Sequence, residues 1–169
     1  MFYDDIHTHS TCPRNGEQDI RCILNTYPET FGAVRSEKPD SWYSCGIHPW
    51  YSDNAEEKIA QLTSILTQKK VVAIGEAGLD KVRGGDMQRQ TDIFRKHIEL
   101  SIRFDKPIII HCVKAWDELI ALHKEYKSHT SWILHGYRGN AAQVKQLVQF
   151  GFKFSIGEKF NADAVRHVP

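Results

Sequence analysis

Short apolar runs alternate along this chain with stretches whose apolar residues recur every three or four positions. A run of four to eight apolar residues suits a strand, and the longer period suits a helix with one buried face. Seven segments read as strands: Phe2 to His9, Ile20 to Leu24, Trp42 to Ile47, Val71 to Gly75, Pro107 to Cys112, Ser131 to Leu134 and Phe152 to Ile156. Four helical patterns lie among them. The first opens on Asp53 and Glu56, which have capping-box spacing, and carries Ile59, Leu62 and Leu66. The second runs from Met87 to Phe104, with Phe94, Ile98 and Ile102 four apart. The third carries Trp116, Leu119, Ile120, His123 and Tyr126. The fourth starts at Asn140 as N-cap, places Val144, Leu147 and Val148 on one side, and ends at Gly151.

Val71 to Ile74 and Ile108 to Ile110 are apolar without alternation, as in strands covered on both faces of a parallel sheet. Strand and helix in alternation mean an α/β fold. A doubly wound sheet and a (β/α)8 TIM-type barrel compete. Polar residues gathered at the carboxyl ends of strands favour the barrel, whose active site sits on that face. The 169 residues read as a single domain, 1–169. That is enough chain for a real core, but short of the roughly 250 residues of a complete barrel. Between His9 and Gly46 there is little room for a full crossover helix, which takes about a dozen residues, so the barrel is expected to be trimmed near its N-terminal half.

A net charge of +1 supplies no global field for nucleic acid, so any such partner must meet a local patch. Cys12, Cys22, Cys45 and Cys112 form no C-x-x-C pair and are expected to be reduced thiols. The N-terminus lacks a basic segment followed by an apolar run, and no stretch is long enough to span a membrane, which points to the cytoplasm.

Chemistry enters at the strand ends. His7 and His9 are two apart on the first strand, so both imidazoles point to one side and can share a divalent cation. Glu76 follows the fourth run, His111 the fifth and His135 the sixth. Any one of these has a bland explanation as a terminal histidine or a loop acid. Four strands ending alike do not, because packing alone would place apolar residues there.

Asp5-Ile6-His7-Thr8-His9, Gly46-Ile47-His48-Pro49-Trp50 and Ile74-Gly75-Glu76-Ala77-Gly78-Leu79-Asp80 resemble the motifs of the TatD family of metal-dependent hydrolases, in the amidohydrolase-like barrel group. Gln90 and Phe94, Pro107 to Cys112, and His135-Gly136 with Gly139 continue the likeness in the family's order. The resemblance implies two divalent metal ions. His7 and His9 would hold one, Glu76 would bridge, and His111 and His135 would hold the second. It implies hydrolysis of phosphodiester bonds, with DNA or a small phosphodiester as substrate. Two cations about 3.5–4 Å apart suit an in-line displacement, and a cation lowers the pKa of its water toward neutrality. Nitrogen and oxygen ligands together fit zinc, manganese or iron, and magnesium less well.

His48 either faces the pocket as a catalytic residue touching a substrate phosphate or fixes the turn with Pro49. Asp80 either orients a ligand histidine or caps the next helix. Lys81, Arg83 and Arg89 form either a basic rim or a solvated loop. Cys112 should point away from His111 as a small buried hydrophobe. Arg138 stands where the family often has serine and adds a positive charge that can bind phosphate. The family continues into a last strand ending in Glu-Thr-Asp, whose aspartate is a further ligand. Pro169 falls before that strand, so the barrel is expected to lack it here and the native chain to run on. Two other readings stand beside this one. A phosphoesterase of the polymerase-and-histidinol-phosphatase type shares the opening Asp5 to Ser10. A non-catalytic barrel relative would keep the ligands without the final aspartate.

Overall fold

The computed structural model describes residues 3–9 and 20–169. Phe2, Ser10 and Cys12 lie outside the described residues. Seven parallel strands form one curled sheet, a half-barrel in chain order. They are β1 (Tyr3–Thr8), β2 (Ile20–Thr26), β3 (Trp42–Cys45), β4 (Val71–Asp80), β5 (Ile108–Val113), β6 (Trp132–Leu134) and β7 (Lys153–Phe154). Among the described residues β1 and β7 do not pair. A single helix of about two turns, α1 (Phe31–Glu37), links β2 to β3. Then come α2 (Ala55–Ile65), α3 (Met87–Phe104), α4 (Trp116–Tyr126), α5 (Ala141–Gln149) and α6 (Ala162–Val165). No helix among the described residues is long and apolar enough to cross a membrane.

The core lies between sheet and helices. Phe94 and Ile98 of α3 meet Tyr43, Ile74, Ile108 and Trp132 of the strands, all buried. The periodic apolar face of α3 faces the sheet, as its spacing requires. Its N-cap is Asp86, which accepts from the Arg89 amide at 2.7 Å. Asn140 caps α5 in the same way, accepting from the Gln143 amide at 2.9 Å. The capping box expected at Asp53 and Glu56 does not form. Asn54 takes the N-cap of α2 with φ of 52° and makes no side-chain cap bond. Cys22 takes part in a disulfide, against the expectation of reduced thiols throughout, whereas Cys45 and Cys112 are free.

The main departure from the sequence reading is β4. It does not stop at Gly75 but runs on through Asp80, so Glu76 lies inside the strand. Its pairing with β5 shifts register between Ile74 and Ala77, and the Gly75–Glu76 peptide is cis. Two glycines let β5 come close. A Cβ on Gly75 would sit 2.3 Å from the Ile109 carbonyl oxygen, and one on Gly78 would sit 2.0 Å from that of His111. Both also have positive φ, which side chains disfavour.

Candidate metal centre

Five strands deliver polar side chains to one end of the sheet. β1 and its end bring His7 and His9. Glu76 and Asp80 come from β4, and His111 from β5. His48 follows β3 and His135 follows β6. Glu76 is the centre. Its Oε2 lies 3.2 Å from His7 Nε2, which is 3.0 Å from His9 Nε2. Its Oε1 lies 3.0 Å from His111 Nδ1 and 3.7 Å from His48 Nε2. The carboxylate thus turns one oxygen to each of two imidazole groups. His7, His9 and Glu76 converge closely enough to share a cation, and by distance alone so do His48, Glu76 and His111.

The donor chemistry fits such a cation. His111 Nε2 lies 3.0 Å from Asp80 Oδ2, so a neutral His111 places its proton there. Its Nδ1 lone pair then faces a carboxylate oxygen, an arrangement that only a proton or a cation between them makes favourable. The same holds for His7 and His9, whose two ring nitrogens face each other beside Glu76. The His7 Nδ1 and His135 Nδ1 atoms are buried with no hydrogen-bond partner among the described residues. Burial alone would raise the Glu76 carboxyl. The imidazoles of His111, His7 and His48 packed around it outweigh that burial and hold the group well below the usual carboxylate range.

His48 fixes the turn and also faces the pocket. Its Nδ1 accepts from the Trp50 amide at 3.2 Å, capping a tight turn at Pro49–Tyr51. Neutral His48 therefore carries its proton on Nε2, which faces the site 3.2 Å from His111 Nδ1. Burial, more than the attraction of Glu76 can offset, lowers it to about 4. That makes it a donor of an N–H rather than of a lone pair. His135 is also lowered to about 4, by burial first and His7 second. Its ring packs on His7 with centroids 3.9 Å apart, outside the two close donor groups. For His111 the bonds to Glu76 and Asp80 overcome burial and raise the pKa.

Asp80 orients His111 and does not cap α3. Its Oδ2 also accepts from Trp50 Nε1 at 2.7 Å, and its Oδ1 accepts from the amides of Val82 and Arg83. Burial pushes its carboxyl up, but these bonds bring it down to about 2. Three supports were not legible as site residues. Gln90 accepts from the Asp80 amide at 2.7 Å and donates to the Asp80 carbonyl. Asn25 Oδ1 accepts from the Glu76 amide at 2.8 Å. Buried His97 accepts from the Ile47 amide at 2.9 Å and reaches the Ile93 carbonyl at 2.8 Å, fixing the backbone just before His48. On a helix at core spacing, a histidine or glutamine looks like any inward residue. Its bond to a distant strand leaves no local signal.

The centre opens into a cleft of about 880 Å³, with Arg138 and Lys114 on its wall. The other basic candidates are engaged elsewhere. Lys81 pairs with Glu118 at 2.6 Å, Arg89 binds the Ser52 carbonyl at 2.8 Å, and Arg83 stacks on Trp50. Cys112 packs against the core but also borders the cleft.

A model of the TatD-related DNases matches residues 13–169. The chain belongs to this family. The family match decides between the two hydrolase families weighed from the sequence. A metal-dependent hydrolase of Buchnera aphidicola subsp. Baizongia pistaciae, uncharacterised by name, is 37% identical over 115 residues, covering 67% of this chain and 43% of that protein. The crystal structure of YjjV, a TatD homologue from Escherichia coli K12, superposes with a TM-score of 0.75 at 26% identity, covering 90% of this chain and 66% of that one. The protein named 3'-5' ssDNA/RNA exonuclease TatD from Klebsiella pneumoniae is 28% identical, covering 76% of this chain and 51% of its own. The chain spans about half the length of the curated relatives it matches. Membership of the TatD family makes the parallel sheet part of a TIM-type barrel architecture and makes this chain kin to metal-dependent hydrolases.

Proposed function

We propose that residues 1–169 form a barrel domain that hydrolyses phosphodiester bonds, DNA among them, with two divalent metal ions. The observation that carries this is Glu76, buried, with one oxygen turned to His7 and His9 and the other to His111. In this reading His7, His9 and Glu76 hold one cation. Glu76 and His111 hold the second, with His135 as the next imidazole along the wall. A pair of cations supplies Lewis acidity and charge neutralisation at the phosphoryl group. His48 presents its Nε2 proton to a phosphate oxygen, and Arg138 binds a neighbouring phosphate from the rim. Asp80 keeps His111 in the tautomer that leaves Nδ1 free. The name of the Klebsiella relative, a 3'-5' ssDNA/RNA exonuclease, supports nucleic acid as the substrate class.

The test is hydrolysis of bis(p-nitrophenyl) phosphate and of an oligodeoxynucleotide after chelation and reloading with manganese, zinc, iron or magnesium. Activity should return with at least one metal and be lost in Glu76→Ala. Hydrolysis that ignores chelation, or equal rates in the two proteins, overturns the reading.

A further inference from the structure

Lys58 is not where a lysine on a helix surface is normally found. It stands in α2 next to exposed Glu56 and Glu57, yet its side chain is only 13% exposed. The ammonium turns in between two loops. It donates to the Tyr51 carbonyl at 2.9 Å and pairs with the Glu29 carboxylate at 2.7 Å. Withdrawing an ammonium from water is costly unless partners answer it, and these two do. Burial pushes the Glu29 carboxyl up, but the bond and charge of Lys58 outweigh that and bring it below its usual value.

The two partners sit on opposite lips of the cleft. Glu29 lies between β2 and α1, two residues after Tyr27. Tyr51 closes the Pro49–Tyr51 turn that follows His48. Tyr27 and Tyr51 both line the cleft, with ring centroids 5.7 Å apart at 80°. Among the described residues no other hydrogen bond or ion pair ties the first lip to the second. The turn itself has further anchors. Arg89 holds the Ser52 carbonyl at 2.8 Å, and Trp50 donates to Asp80 at 2.7 Å. His48 therefore keeps its support when Lys58 is lost, whereas the spacing of the lips does not. We propose that Lys58 is a positioning residue: by tying Glu29 to the Tyr51 carbonyl it fixes the width of the cleft mouth, and so sets how well a substrate long enough to reach that mouth is held. The kinetic consequence rests on the phosphodiesterase reading above, and the tie between the loops does not.

Steady-state kinetics of the metal-reloaded protein on an oligodeoxynucleotide and on bis(p-nitrophenyl) phosphate test it. Lys58→Met should raise KM for the oligodeoxynucleotide about fivefold, with kcat and the KM of the small ester changed less than about twofold. Lys58→Arg, which can still reach both partners, should recover most of the loss. Glu29→Gln, at an exposed position away from the core, should raise the same KM by a smaller factor. Hydrogen exchange without substrate gives a second reading. The Thr30, Phe31 and Tyr51 amides, bonded within the two loops, should exchange faster in Lys58→Met while those of α3 stay protected. An unchanged oligodeoxynucleotide KM, or equal losses on both substrates as a general structural defect would give, overturns the role. The two proposals fail separately. If neither ester is hydrolysed, the phosphodiesterase reading falls by itself, and unchanged exchange in the two loops would then overturn the tie.

Discussion

The two sides of Glu76 are built differently. On the β4–β5 side nearly every polar atom is answered by the protein. Asp80 holds His111, Trp50 and two amides hold Asp80, and Gln90 clamps the Asp80 backbone. On the β1–β6 side, two ring nitrogens face each other and His7 Nδ1 and His135 Nδ1 are buried without partners among the described residues. A buried unpaired polar group costs about 1–3 kcal/mol. One side is therefore pre-formed by hydrogen bonds, and the other is a set of lone pairs that a cation would complete. The contrast suggests that the supported side keeps its shape without metal while the other side gains most of its order from it.

The sharpest way to break this contrast is to remove its common member. Glu76→Ala should lower phosphodiester hydrolysis by on the order of 10³-fold or more and abolish metal uptake on both sides, read by rate assay and metal analysis together.

The next effect concerns stability. Burial lowers His97 to about 4 from an ordinary 6.5. Between those pH values the unfolded chain takes up a proton that the folded chain refuses. Stability is therefore intact above about pH 6.5 and falls as the pH drops toward 4, by on the order of 3 kcal/mol. Urea unfolding of the chelated protein from pH 7 to 4.5 should show this loss. In His97→Gln the protein should be weaker at pH 7 and its pH slope flatter; an unchanged slope would remove His97 as the cause.

Asp80→Asn acts on one side only. Loss of an outer-shell partner typically weakens metal affinity about 10- to 100-fold. Titration with zinc should show one weakened site and one near-normal site, and equal weakening of both would erase the distinction between the sides. The smallest effect is expected from Trp50→Phe. It removes a single indole donor to Asp80 and should weaken the same site roughly threefold.

How much of this was legible from the sequence follows the range of each signal. The apolar runs and the apolar faces of α3 and α5 are local signals, so the sequence marked the strand ends that carry His7, His9, His111 and His135 and the Met87–Phe104 helix, while the role of those histidines came from the family resemblance. The misreading of β4 is also local in origin. Gly75 and Gly78 look like loop punctuation, and only the position of β5 reveals them as points of close approach. Asn25 and His97 act across 51 and 50 residues of chain, on the amides of Glu76 and Ile47. Nothing in their immediate neighbourhood marks them. The sequence left His48 between the turn and the pocket because its ring reaches both. Its two ring nitrogens serve different partners, and a sequence does not separate them.

The glycine contacts beneath Glu76 bear on how such a protein can diversify. A Cβ on Gly46 would lie 2.6 Å from the Gly75 Cα, and one on Gly75 would strike the Ile109 carbonyl. Three adjacent strands thus press backbone on backbone, leaving no freedom to alter this floor one residue at a time. Tyr51 and Arg138, exposed at the rim, carry no such restriction. Mutational drift, and any laboratory effort to redirect the protein, would have its room there, with the floor inherited unchanged.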